Sequence, residues 1–367
     1  MRQKVLAIIF GGQSGEHVVS LRSAASIMEA VDRQRYHILP VGITRDGIWI
    51  AGDEAWHVLW ERRPLEEAAR AAIVTDPRRP GLLSETAGGG SWIFSPVDLA
   101  FPVLHGPFGE DGTVQGLLEL AGIPYVGSGV LASATSMDKA VMKTLFQRDR
   151  LPIGPYIYFT RWEWAGQEQY WQNRVEAALG YPCFVKPANL GSSVGISRVN
   201  GRAFLGGAVA EALLYDDKVV LESFIAGREI ECSVLGDLEP RASQPGEIIP
   251  CNDFYDYRAK YLDDRSELII PAQLEPALEE KIKELACKAF QAVEASGLAR
   301  VDFFVNPADQ TVTINEINTI PGFTSISMYP KLWEASGIGY SELINRLLEL
   351  AESRFQRRRS LLAAPPE

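Results

Sequence analysis

Cysteine is scarce: Cys183, Cys232, Cys251 and Cys287 are widely scattered, and no C-x-x-C pair occurs. Neither a zinc site nor a disulfide framework is indicated. The Walker A pattern G-x-x-x-x-G-K-[ST] is missing, which excludes a P-loop. The G-x-G-x-x-G fingerprint of dinucleotide binding is missing too. No apolar run reaches membrane-spanning length. Val5–Phe10 is too short for a secretory signal and is followed at once by Gly11-Gly12. A cytoplasmic protein without a membrane partner is expected. Positive charge is in deficit, with 36 Lys+Arg against 47 Asp+Glu and a net charge of −11. That balance argues against a nucleic-acid partner. The one basic run, Arg357–Arg359, reads as part of a solvated, partly disordered tail.

The stretch richest in chemistry is RVDFFVNPADQTVTINEINTIPGFTSISM, residues 300–328. It reads as two strands, Ala299–Val305 and Thr311–Ile317, joined through Asn306, Pro307, Asp309 and Gln310, which is turn chemistry. Strand side chains alternate between faces, so Arg300 and Asp302 share one face. The same rule puts Ile314, Glu316 and Asn318 together on the partner strand. Arg300, Asp302, Glu316 and Asn318 can therefore converge. Two carboxylates and an amide carbonyl are hard oxygen ligands, suited to Mg²⁺ or Mn²⁺ held jointly with phosphate oxygens. Acids set among VDFFV and TINEI need partners, and a metal supplies one. Pro321-Gly322 then turns the chain ahead of Thr324, Ser325 and Ser327, a cradle for an anion or carboxylate.

The 367 residues allow two or three domains. Lys4–Phe10 reads as a buried strand, His17–Ala30 as a helix, and Tyr36–Ile43 and Ile48–Ile50 as strands, an α/β opening. Glu16 stands where the first glycine turn meets the helix, a place for dipole stabilisation. Residues 53–92, with Trp56, Trp60 and Trp92, read as an elaborated, partly mobile connection. Asp98–Leu104 is a strand running into HGPFGEDGTVQG, residues 105–116. Glycines beside His105, Glu110 and Asp111 make this either a turn-rich connection or a ligand-lining loop. Ser136–Arg148 reads as one helix. Lys186 closes the strand Cys183–Val185 ahead of Gly191, Ser192, Ser193 and Gly195. A Lys at a strand end before a Gly/Ser loop handles phosphate, through backbone N–H groups, hydroxyls and a neutralising charge. Glu222 precedes the Phe224–Gly227 turn, and Glu229 and Glu231 follow it. These acids either meet a nucleotide base or simply face solvent. FYDYRAKYL, residues 254–262, reads as an ordered loop. Glu275–Gly297 and Ser341–Phe355 are amphipathic helices.

Two long motifs carry a specific resemblance. H-G-x-x-G-E-D-G-x-V-Q-G stands at His105–Gly116, and G-L-A-R-V-D-F-F…I-N-E-I-N-T-x-P-G at Gly297–Gly322. With the Gly-Gly-x-Ser-x-Glu-His opening and the Lys186/Gly191-Ser192-Ser193 loop, the chain resembles the D-alanine–D-alanine ligases of the ATP-grasp superfamily nearly end to end. That resemblance implies a three-domain α/β fold: a Rossmann-like substrate domain at residues 1–137, then a two-part ATP-grasp at 138–225 and 226–367. It implies an ADP-forming carbon–nitrogen ligase that joins two D-alanines through a D-alanyl phosphate for peptidoglycan precursors. ATP is the implied co-substrate, with two Mg²⁺ or Mn²⁺ ions on Asp302, Glu316 and Asn318.

The other roles come from the resemblance as well. Lys139, Lys186 and Ser193 fall to phosphate, Glu222 and Glu229 to adenine and ribose, and the Phe224 and Ile225 backbone to the base edge. Glu16 falls to the ammonium of the first D-alanine, and Arg300 with the Gly322 N–H to the oxyanion. Ser327 and Met328 fall to the second carboxylate, and His105 to orienting substrate. Ser192 and Tyr261 join Glu16 in tying a loop over the site. Tyr261 after Lys260 matches dipeptide-forming members, whereas lactate-using relatives replace that tyrosine. A homodimer is implied too. The alternatives are a D-alanine–D-serine or D-alanine–D-lactate ligase, or, in another class, a nucleotide-dependent oxidoreductase.

Overall fold

The computed structural model describes residues 2–86, 90–191, 194–249 and 267–361. Among them the chain builds three sheets of seven, four and six strands. The first is organised on Lys4–Gly11, whose apolar run is buried on both faces. Such a strand belongs inside a parallel array. It pairs in parallel with Tyr36–Ile43 on one side and Leu99–Pro102 on the other. Between them the helix His17–Ala30 lays Leu21, Ala24 and Ile27 against Leu6, Ile8 and Phe10.

Residues 53–92 are not the irregular connection expected of them. They hold the helix Asp53–Glu61 and the strands Ala69–Val74, Gly81–Glu85 and Trp92–Pro96, an antiparallel extension of the sheet beyond Trp49–Ala51. Most side chains on these strands are half-buried or exposed, so no apolar alternation marks them in the sequence.

The helix expected at Ser136–Arg148 is two helices, Val130–Met137 and Lys139–Arg148. Asp138 divides them. Its backbone is extended, and its carboxylate accepts the N–H groups of Ala140 and Val141, an N-cap that restarts the helix at Lys139.

In the second sheet, Lys218–Ser223 lies between Cys183–Pro187 and Tyr156–Thr160, antiparallel to both. In the third, Arg228–Gly236 pairs with Gly246–Ile249 and with Gly297–Val305, which in turn pairs with Val312–Asn318. The helix Pro276–Ala292 packs Leu278, Ile282 and Ala289 into one core with Val301, Phe303 and Ile314. Truncating fully buried Phe303 to Ala would cost about 3–5 kcal/mol.

The closing helix Tyr340–Arg359 includes the basic run that the sequence assigns to a disordered tail. Arg357 pairs with Asp237 at 2.6 Å and Arg358 pairs with Glu119. Cations in a last helical turn also favour the helix dipole. Among the described residues no helix is long and apolar enough to cross a membrane.

Candidate active site

A cavity of about 310 Å³ opens between the second and third sheets. Lys139, Lys186, Gly191, Glu222, Phe224, Ile225 and Glu229 line it together with Asp302, Glu316 and Asn318. Residues read separately as phosphate, base and metal groups thus share one space.

The cationic end is built by register. Lys186 stands opposite Val220, so Glu222 is its diagonal neighbour on the same face. Their side chains meet at 2.8 Å. Lys143, one turn beyond Lys139 on the Asp138-capped helix, reaches the other Glu222 oxygen at 3.2 Å. Burial pushes the Glu222 carboxyl up, but Lys143 and Lys186 outweigh it and hold it at about 2. Lys139 is buried, which lowers its pKa, and its Nζ donates to the Leu190 carbonyl at 2.5 Å. The Phe224 N–H is engaged with the Pro182 carbonyl at 3.2 Å.

On the hairpin, Asp302 stands opposite Glu316 and Arg300 opposite Asn318. Phe303 stands opposite Ile314, so Asn315 is an extra residue, a bulge. Ile314 therefore faces the core beside Phe303, which corrects the shared face read from strict alternation. The bulge puts Glu316 and Asn318 on the face of Asp302. Arg300 grips both Asp302 oxygens at 2.7 Å and lies 3.0 Å from Glu231. The Asn318 amide donates to Asp302 at 3.1 Å. Among the described residues no three His, Cys, Asp or Glu side chains form a metal cluster. The donors on this face are two carboxylates and an amide oxygen, a hard set that fits a divalent ion sharing phosphate oxygens.

The other end of the site hangs on loops. A Cβ at Gly106 would lie 3.1 Å from Glu16 Oε2, and one at Gly191 would lie 3.3 Å from it. Gly106 also has φ +77°, which favours glycine. The Glu16 carboxylate thus sits between Gly106 and Gly191. His105 is buried, with Nδ1 2.9 Å from the Ile320 carbonyl and 3.8 Å from Glu110. Burial works against its charge, but Glu110 and Glu16 outweigh that and raise its pKa. Burial, aided by Glu16, raises Glu110 as well.

Ser327 precedes the helix Met328–Ala335, and its hydroxyl accepts the Thr324 N–H at 3.1 Å. Met328 is buried beside Ile248 and Leu332. A Cβ on Gly322 would lie 3.2 Å from Ser327 Oγ. Ser192, Ser193 and Tyr261 lie outside the described residues.

Sequence reasoning missed two residues here. Lys143 was legible as an i+4 neighbour of Lys139 on one helical face. Ser23 was not legible: its hydroxyl, deep on the first helix, accepts the Phe323 N–H at 3.2 Å and lies 3.3 Å from His105 Nε2.

The family described as D-ala D-ala ligase N-terminus matches residues 5–128, and D-ala D-ala ligase C-terminus matches residues 145–349. The chain is 51% identical to the D-alanine–D-alanine ligase of Heliobacterium modesticaldum, covering 97% of this chain and 96% of that protein. It is 48% identical to that of Geobacillus kaustophilus, covering 98% of each. The solved D-alanine–D-alanine ligase of Coxiella burnetii superposes with a TM-score of 0.85 at 36% identity, covering 98% of this chain and 97% of that one. The VanG D-Ala:D-Ser ligase of Enterococcus faecalis does so with the same score and identity, covering 95% of this chain and all of that one. With two family matches spanning most of its length and relatives near half identity end to end, this chain, an α/β protein of ATP-grasp fold, belongs to the D-alanine–D-alanine ligase family.

Proposed function

We propose that this chain joins two D-alanines to D-alanyl-D-alanine at the expense of ATP, through a D-alanyl phosphate. The observation that carries the reading is the single cavity lined by Lys139, Lys186 and Glu222 at one end and Asp302, Glu316 and Asn318 at the other. The phosphate tail of ATP would run between the two lysines and the carboxylate face, with its base beside Glu222. Lys139 and Lys186 bind the phosphates, with Ser193, and Glu222 and Glu229 take the adenine and ribose, beside the Phe224 and Ile225 backbone. Asp302, Glu316 and Asn318 would hold two Mg²⁺ or Mn²⁺ ions. Bound there, the ions neutralise phosphate charge and template the phosphates.

Glu16 holds the ammonium of the first D-alanine, and His105 orients it. Its carboxylate oxygen attacks the terminal phosphorus, the bond to ADP breaks, and a mixed anhydride forms. Ser327 and Met328 hold the second D-alanine by its carboxylate. Its free amine attacks the acyl carbon, Arg300 and the Gly322 N–H stabilise the oxyanion, and the carbon–oxygen bond to phosphate breaks as the nitrogen gives up a proton. Ser192 and Tyr261, with Glu16, close a loop that excludes water, which would otherwise hydrolyse the anhydride.

The division at residues 137/138 and 225/226 is part of this reading, and each sheet falls within one of the three segments. So are a cytoplasmic location, which fits an ATP-dependent step, and a homodimer, which light scattering at twice the chain mass would reveal. Acceptor choice is tested by incubating the protein with ATP, D-alanine and equal D-serine or D-lactate, then identifying products by mass. D-alanyl-D-alanine should dominate. A predominant D-alanyl-D-serine product would move the chain toward the VanG-like reading that the equal structural similarity leaves open.

A further inference from the structure

Glu222 has two lysine partners where one would neutralise it. Both are buried: Lys186 meets one carboxylate oxygen at 2.8 Å, and Lys143 meets the other at 3.2 Å. Lys186 also has work at the phosphates. If it turns to them, a lone buried Glu222 would be costly. Lys143 keeps it paired. Lys143 does something further: its Nζ donates to the Asn315 carbonyl at 3.1 Å. Asn315 is the bulged residue of the hairpin, and the bulge is what turns Glu316 and Asn318 into the cavity. An ammonium has three donors and can serve both acceptors at once. The Tyr156 ring, 6.0 Å from Nζ, lies at the edge of cation–π range.

We propose that Lys143 is a positioning residue that fastens the base-reading Glu222 to the metal-bearing strand through the Asn315 carbonyl, leaving Lys186 free for phosphate. The proposal rests on the nucleotide reading given above. It joins the two ends of the cavity mechanically, so losing Lys143 disturbs both.

The test uses the full chain and Mg·ADP titration calorimetry. Lys143→Met should weaken Mg·ADP about 10-fold to 100-fold, the scale of one hydrogen bond to a charged group. Its preference for ADP over GDP should shrink. Mn²⁺ binding to the ADP-loaded protein, read by electron paramagnetic resonance, should weaken in parallel. The KM for D-alanine should stay within about twofold, since nothing in this linkage reaches Glu16. Lys143→Arg keeps the charge and should recover part of the affinity, and it carries the test if the methionine variant does not fold. In Glu222→Gln the further loss on adding Lys143→Met should be smaller, because the charge that Lys143 serves is gone. A folded Lys143→Met with wild-type Mg·ADP affinity and base preference, beside a Glu222→Gln that binds weakly, overturns the proposal alone. A Glu222→Gln that binds Mg·ADP like wild type overturns the nucleotide reading beneath it.

Discussion

The nucleotide end of the site hangs on strands, whereas the end around Glu16 hangs on glycine loops. Lys186, Glu222, Asp302 and Glu316 are placed by sheet register, and a single bulge at Asn315 turns Glu316 to the face of Asp302. Glu16 is placed beside Gly106 and Gly191, and His105 against the Ile320 carbonyl and the Ser23 hydroxyl. A strand holds a charge through many ladder bonds, so substitution there changes chemistry with little movement. A loop position depends on the space that glycine leaves, so a small change there moves the group itself. Strand substitutions should therefore strike turnover and nucleotide binding, and loop substitutions should strike D-alanine recognition.

The sharpest way to break that contrast is at Glu316. Glu316→Gln keeps the shape but removes one charge from the proposed metal face. D-alanine-dependent ADP release should fall about 10³-fold or more, while circular dichroism stays that of the wild type. Near-normal turnover at saturating Mg²⁺ would remove the hairpin from the metal site. Next in size is Arg300→Lys, which keeps the charge but loses the fork that spans both Asp302 oxygens. A drop of about 10² in kcat is expected, the scale of one preorganised oxyanion donor. An effect confined to KM for ATP would reassign Arg300 to ground-state binding.

On the loop side, Glu16→Gln should raise the KM for D-alanine at the first site about 10-fold, as a charge-assisted bond becomes a neutral one. Mg·ADP affinity should not change. If nucleotide binding falls equally, the two ends are not separable.

The smallest effect concerns stability. Glu222 is held at about 2, below its ordinary 4.5. A lowered folded pKa stabilises fully above the ordinary value and is lost as pH falls toward the folded one. The urea midpoint of wild type minus that of Glu222→Gln should be level from about pH 8 to about pH 6 and shrink only below about pH 4.5. A gap that stays constant into acid would mean that the two lysines do not stabilise the ionised carboxylate.

Legibility followed the same divide. The parallel core strands are plain in the sequence as continuous apolar runs, and the helix His17–Ala30 is plain as well. The hairpin's chemistry and the common face of Arg300, Asp302, Glu316 and Asn318 are plain in the sequence, and only the facing of Ile314 is not, since a bulge leaves no mark in composition. The strands within 53–92 were hidden by their exposure, and the break at Asp138 by helical propensity on both sides of a capping residue. Ser23 and Glu16 owe their places to long-range approaches, to Phe323 and Gly106 respectively, which no local pattern encodes.

Every role assigned to the site depends on activation of the first D-alanine's carboxylate by ATP. The direct measurement starts from D-alanine carrying ¹⁸O in both carboxylate oxygens and follows the label by mass spectrometry. One labelled oxygen per dipeptide should appear in the released phosphate, because the attacking carboxylate oxygen leaves with it. Phosphate free of label, with the dipeptide still forming, would contradict the acyl phosphate and the roles assigned to both ends of the site.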